Sequence, residues 1–408
     1  MTERDFAADV VRTLQAAGHV AYFAGGCVRD ELLGLTPADH DVATDAVPER
    51  VQQLFRRTIA IGAAFGVIEV LGPRMNGEHI NVQVATFRSD GSYTDGRRPN
   101  AVTFGNAEAD AARRDFTING LFFDPVAERL YDFVGGRADL ESKVLRAIGD
   151  PAARFTEDKL RILRAVRLAA RFDLTIDPAT WFAGRRLAEQ IFVVSAERIA
   201  EELRKMLAHP TRAKAVEWLN RFELVTPVFP EVAASVETRT ETVRYLPDRF
   251  GFEGTFATLL LDTDPKAAGA IGRRLKLSAD ELRHVAWLVG HQSALTGAAG
   301  QSKSKLYPIL AHPFAPDLIA IDRARVAAEG CPSDDADFSA NVLRELQPEV
   351  INPPPLITGD DLTAAGYTPG PDYKGWLERV RAAQLDGEVK SKEEALALVA
   401  RLRGPGHG

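Results

Sequence analysis

Residues 22–45 read YFAGGCVRDELLGLTPADHDVATD, in which an apolar run, a glycine pair and two closely spaced aspartates follow one another. An apolar run, Ala21 to Ala24, has the character of a strand; it stops at Gly25-Gly26, and VRDELLG then starts a helix. Glycine at that junction lets backbone approach a ligand closely and leaves helix-start N–H groups pointing outward, which suits phosphate. A turn marked by Gly34 and Pro37 leads into Asp39-His40-Asp41-Val42, which reads as a short second strand. Side chains two apart on a strand share a face, so Asp39 and Asp41 look the same way, roughly 7 Å apart along the backbone. Two carboxylates facing a phosphate-cradling turn are the hard oxygen ligands that two Mg²⁺ ions need, with sites left open for a nucleotide. Gly-Gly alone is an ordinary turn and Asp-x-Asp alone a solvated one; the spacing of the two together carries the signal.

Joined in this way, the stretch resembles the signature of the nucleotidyltransferase superfamily, in the class II branch that contains bacterial tRNA CCA-adding enzymes and poly(A) polymerases. Three later segments follow in the family's order. ARRDFTINGLFFDP places Arg113 and Arg114 before an alternating apolar segment. It is similar to the family's second motif, with Arg114 matching the nucleotide-contacting arginine and Asp115 and Asn119 the other polar members. Gly120 departs from the alanine usual there. SAERIAEELRKML (195–207) resembles the last motif, which braces neighbouring helices, so Glu197 and Arg198 are expected to be structural.

The remaining motif is TEDKLRILRAVRLAARF, read as one helix over 156–172 with Thr156 as cap and Glu157 and Asp158 in its first turn. Asp158, Arg161, Arg164 and Arg167 follow at intervals of three, which an i,i+3 ion-pair ladder would also explain. The chemical alternative is base selection. Cytosine and adenine both show an amino donor beside a ring-nitrogen acceptor, whereas uracil and guanine show a carbonyl there. A carboxylate beside a guanidinium would choose C and A, because a wrong base leaves buried polar groups unpaired. EDKLR resembles the family's protein-templating motif; by that match Asp158 and Arg161 read the base, and Arg164 and Arg167 lie toward the triphosphate or the helix framework.

The bulk numbers fit this. At 408 residues the chain is long enough for two or three domains, and 45% hydrophobic with 26% charged residues is ordinary for a soluble protein. Cys27 and Cys331 stand far apart, without a disulfide framework or a zinc pattern, as expected of a reducing cytoplasm. The start, MTERDFAADVVRTLQAAGHVAYF, has helical spacing; it is neither a signal peptide nor a membrane span. A net charge of −7 excludes a surface coated in positive charge but not a local basic groove. A dinucleotide-binding oxidoreductase does not fit, since the third glycine and the distal acid are missing.

The expected architecture is α+β. A small mixed-sheet nucleotidyltransferase head (1–145), with helices on one side of the sheet, is followed by an all-helical neck (146–210), body (211–349) and tail (350–408). Asp90 to Asn100, carrying Arg97 and Arg98, is a turn-rich loop that in the family helps position nucleotides. His284 and His291 have no ligand-spaced partners, and the one His-Asp pair in sequence is His40-Asp41. Pro353 to Pro355 form a stiff link, and Asp360 and Asp361 read as helix caps in a tail that similar proteins use to bind RNA.

The resemblance implies template-independent addition of CCA, or part of it, to tRNA 3′ ends from CTP and ATP. Asp39 and Asp41 would hold two Mg²⁺, and Gly25, Gly26, Arg29 and Arg114 would hold phosphates and sugar. A CC- or A-adding specialist and a poly(A) polymerase belong to the same class. An RNA-binding protein with a silent head is the reading from another class; it draws on Gln83, which stands where the family commonly has glutamate.

Overall fold

A computed structural model describes residues 2–62, 66–75, 78–90 and 102–403, so the loop expected at 90–100, with Arg97 and Arg98, lies outside the described residues beyond Asp90. The first element is fixed by a reciprocal cap. Thr2 Oγ1 accepts the Asp5 N–H, and the Asp5 carboxylate accepts the Thr2 N–H, opening helix α1 (Glu3–Ala16). Its apolar stripe, Ala7, Val10, Val11 and Leu14, is buried against the sheet.

Strand β1 (Ala21–Ala24) ends at Gly25, and α2 (Gly26–Leu32) begins at once. There follow β2 (Val42–Thr44), α3 (Pro48–Leu54), β3 (Thr58–Gly62), β4 (Val67–Met75) and β5 (Glu78–Thr86). The strands β6 (Arg88–Asp90) and β7 (Val102–Phe104) pair with each other; after them come α4 (Ala107–Ala112), β8 (Leu121–Asp124) and β9 (Arg129–Asp132). Seven strands form one sheet in the order β3-β4-β5-β2-β1-β8-β9. Among the described strands of this sheet only β2 and β5 run parallel, so the sheet is mixed as expected.

Its central strands are apolar on both faces. Phe23, Val42 and Leu121 pack with α1, α2 and α3, while Ala24, Ala43 and Phe122 pack with Ala107 and Ala111 of α4. The expectation of helices on one side is thus corrected: a short helix covers the second face because continuous apolar runs, not alternation, fill β1 and β8.

Beyond the sheet lie α5 (Gly136–Glu141), β10 (Val144–Leu145), α6 (Pro151–Glu157), α7 (Leu160–Phe172), β11 (Thr175–Ile176), α8 (Pro178–Leu187) and α9 (Ala196–Leu207). Two expectations fail here. The neck carries a two-residue strand, β11, parallel to β10. The single helix 156–172 is two helices, and Thr156 lies inside the first of them. Asp150 accepts from the N–H groups of Ala152 and Ala153, with Pro151 at the first helical position, so α6 starts early. It stops at Asp158, whose backbone is extended (φ −150°, ψ 106°).

The chain divides into two compact units, Met1–Met206 with Lys214–Pro230, and Leu207–Ala213 with Glu231–Gly408. The second unit is built of helices, from Val236–Arg244 to Lys392–Arg403. Within it, the buried Arg212 guanidinium donates to the carbonyls of Pro247 and Asp248 at 2.8 and 2.6 Å. Trp287 is stacked between His291 and His312, and the cap expected at Asp360 and Asp361 is Thr358 instead, with Asp361 accepting the Thr358 N–H from the third helical position. Among the described residues no group of three metal-ligating side chains converges, and no helix is long and apolar enough to cross a membrane.

Candidate active site

The strand-to-helix junction is built around Gly25. Its φ of 76° is one that L side chains rarely adopt, and a Cβ there would lie 2.7 Å from Arg114 Nη1. Arg114 is itself held. It donates to the Asp110 carboxylate through Nε and Nη2 and to the Asn119 carbonyl through Nη1, and it lies over the Phe122 ring. Gly26 opens α2, where Arg29 is buried; Arg29 donates to Asp30 through Nε and Nη2, to Asn119 Oδ1 through Nη1, and packs on Phe172. Three of the five N–H donors of Arg29 are thus engaged in propping the turn.

The short strand expected at Asp39 starts only at Val42. Of the preceding residues, Asp41 joins the ladder through its carbonyl, which accepts the Ala24 N–H at 2.9 Å. Alternation nevertheless holds: Asp39 is exposed, His40 is buried, Asp41 is half-buried on the side of Asp39, and Val42 is buried. Among the described residues neither acid is drawn into a hydrogen bond or ion pair through its carboxylate. Burial and the neighbouring Asp39 charge push the Asp41 carboxyl up to about 6. Two uncompensated carboxylates on one face are the donor set that hard cations take, with phosphate and water completing the shell.

Ten residues singled out from sequence line one cleft of about 620 Å³: Gly25, Gly26, Arg29, Asp39, Asp41, Arg114, Asp158, Arg161, Arg164 and Arg167. Arg113, Asp115, Asn119 and Arg198 line it too, so seven arginines face four aspartates. Guanidinium groups gathered along one cleft, each held in place by a carboxylate, offer phosphate oxygens hydrogen-bond donors already in position.

The ion-pair ladder along the arginine row does not form; each arginine is tied to something else. Arg161 Nη1 donates to Glu157 at 2.6 Å and to the Arg154 carbonyl. Arg164 donates to Asp115 at 2.7 Å, and Arg167 to Glu202 at 2.6 Å. Asp158 accepts from Leu160 N–H at 3.0 Å, which caps α7, and both its oxygens accept from Arg198, at 3.2 and 2.6 Å. Burial works to raise the Asp115 carboxyl, but the Arg164 charge and the donors of Asn119 and Arg164 outweigh it and bring it to about 2. The same pairing raises Arg164.

Sequence reasoning missed Arg198 as a cleft residue. Its partner lies 40 positions away, and helix spacing carries no trace of that pairing. The signal available was its place beside Glu197 in the bracing motif. Gly120 is explained as well: an added Cβ would meet Val134 Cγ2 at 2.6 Å. Gln83, on β5, is exposed and stands opposite Glu69 of β4.

A family model described as "Poly A polymerase head domain" matches residues 21–146, and one described as "Probable RNA and SrmB- binding site of polymerase A" matches residues 173–236. The CCA-adding enzyme of Geobacillus sp. (strain WCH70) is 31% identical over 392 residues, 95% of this chain and 94% of that relative. The CCA-adding enzyme of Bacillus subtilis (strain 168) is 41% identical over 211 residues, 52% of each chain. Among solved structures, the Bacillus stearothermophilus CCA-adding enzyme in complex with CTP superposes with a TM-score of 0.79 at 26% identity, covering 99% of this chain and 98% of that one. The Thermotoga maritima CCA-adding enzyme complexed with tRNA shares the fold, with a TM-score of 0.67 at 22% identity over 98% and 95% of the two chains. Similarity of this extent, running along nearly the whole of both chains and over the motif-bearing cleft, makes this chain a member of the CCA-adding enzyme family and so a nucleotidyltransferase.

Proposed function

We propose that this protein adds C, C and A in turn to tRNA 3′ ends, from CTP and ATP, with no nucleic-acid template and with release of pyrophosphate. The observation that carries the reading is the cleft itself, in which two unpaired carboxylates on one wall share a space with the Asp158–Arg161 pair. Asp39 and Asp41 would hold two Mg²⁺, which when bound lower the pKa of the tRNA 3′-hydroxyl and neutralise charge on the triphosphate.

The chain's own residues do the rest. The Gly25 turn leaves room for the Arg114 guanidinium, which, fixed by Asp110 and Asn119, presents charge over that turn. Asp158, aimed by Arg198, keeps a lone pair free on Oδ2 for the base amino group, and Arg161 donates to the neighbouring ring nitrogen. Uracil or guanine would put a carbonyl against that carboxylate and lose the pairing. Arg164 and Arg167, tied to Asp115 and Glu202, line the cleft as fixed positive charge. Residues 350–408 form the RNA-binding end in this reading, and the free thiols Cys27 and Cys331 accord with a cytoplasmic location.

The test offers purified protein three tRNAs: one lacking CCA, one lacking only the final A, and one complete, each with CTP, ATP or both. Three additions to the first, one to the second and none to the third are expected. Additions of C alone, of A alone, or of a long A run would assign a partial specialist or a poly(A) polymerase instead. No product from any of the three would leave an RNA-binding protein.

A further inference from the structure

His40 separates the two acids and takes no part in the proposed chemistry. Alternation turns its ring to the face opposite Asp39 and Asp41, where it is 6% exposed and lies edge-on to Phe23 at 5.4 Å. Its Nε2 is 3.1 Å from Glu31 Oε1, and since a carboxylate only accepts, Nε2 is the donor. Glu31, near the end of α2, also accepts from Arg4 Nε at 2.6 Å. The His40 backbone N–H donates to Glu3 Oε1, in the first turn of α1, at 2.9 Å. One residue is thus fastened to two helices, by its side chain and by its main chain.

The fastening falls where the sheet does not reach. Residues 39–41 precede β2, and among the described residues the Asp41 carbonyl is their one tie to the ladder. Two like charges on so short a segment push apart, whereas cation ligands must be held to within about 0.5 Å. An apolar side chain would fill the space against Phe23 without the cost of a buried imidazole, so the polar residue buys orientation.

We propose that His40, with Glu31 and Glu3 behind it, is a positioning residue that aims Asp39 and Asp41 at divalent cations. The inference rests on the reading of those two acids as metal ligands. The test is a Mn²⁺ titration of the full-length protein, with free ion followed by electron paramagnetic resonance and thermal unfolding measured in parallel. His40→Leu, which packs but cannot donate, and Glu31→Ala are each expected to weaken Mn²⁺ binding by about tenfold, as is usual for groups that orient a ligand. The two together should weaken it no further than either alone. Glu31→Gln still accepts from Nε2 and should stay within about twofold of wild type. Wild-type Mn²⁺ affinity in His40→Leu, whatever its melting temperature, overturns the proposal. So does Glu31→Gln binding as weakly as Glu31→Ala, which would mean that charge acts through space. If the other variants do not fold, Glu31→Gln alone decides in a second way: added Mn²⁺ should raise its melting temperature as much as wild type's, and a smaller rise overturns the proposal. Asp41→Asn separates the layers, because wild-type Mn²⁺ binding there would overturn the ligand assignment itself.

Discussion

Asp41 illustrates what the site asks of a single residue. Folded, it holds its proton more tightly than in the unfolded chain, with its carboxyl up to about 6 against an ordinary value near 4. The metal-free protein therefore loses stability, on the order of 2–3 kcal/mol, as pH rises from about 4 through about 6. Asp41→Asn removes that cost. In chelator at pH 7.5 the variant should melt above wild type, and added Mg²⁺ should raise the melting temperature of wild type only. A variant that melts below wild type in chelator would contradict the charge assignment. Asp115 has the opposite sign. Its carboxyl lies at about 2, so the stability it contributes is present above about pH 4 and is lost as pH falls toward 2. Asp115→Asn leaves the Arg164 charge without its main partner and should cost about 2–3 kcal/mol in urea unfolding at pH 7. The spacing of Asp39 and Asp41 was readable in sequence because the two act through a local period of two. The Asp115–Arg164 pair was not, since it spans 49 positions and depends on how α7 meets the head.

At the scale of elements, the break between α6 and α7 matters most. Asp158 stands at the break, where an extended backbone frees its carboxylate to cap α7 and to meet Arg198 of α9. In a continuous helix it would have been one more rung of a surface row. Arg198→Ala releases the clamp, and the preference for C and A over U and G should fall by about tenfold, the scale of one charged hydrogen bond lost at a selective contact. Arg198→Lys should retain part of it. Unchanged base choice in Arg198→Ala, with only a lower melting temperature, would return Arg198 to a bracing role. Most elements were visible in sequence: the α1 stripe, the β1–Gly25–α2 junction and the alternating strands each follow a local pattern. The break at Asp158 was hidden because EDK, just ahead of the strongly periodic LRILRAVRLAARF, holds no glycine or proline to mark a stop, while the start set by Asp150 and Pro151 moved the register of the turn before it. β11 was hidden as well, since two residues pair with β10 only through tertiary placement.

For the whole molecule, charge distribution decides more than net charge. The cleft gathers seven arginines in a chain of net charge −7, so RNA should bind through local neutralisation of phosphates. Affinity for tRNA is expected to fall by about 10²–10³ between about 50 and 200 mM salt, measured by filter binding. A flat salt dependence would point to a partner recognised without its phosphates. Asp39 and Asp41 are proposed to hold divalent cations against a nucleoside triphosphate. That role is tested most directly by anomalous diffraction from crystals grown with CTP and Mn²⁺. The expected map has metal peaks about 2.1 Å from both carboxylates, a hard-cation distance, and in contact with the triphosphate beside Gly25. A triphosphate bound in the cleft with its metal peaks away from those two carboxylates would contradict the account.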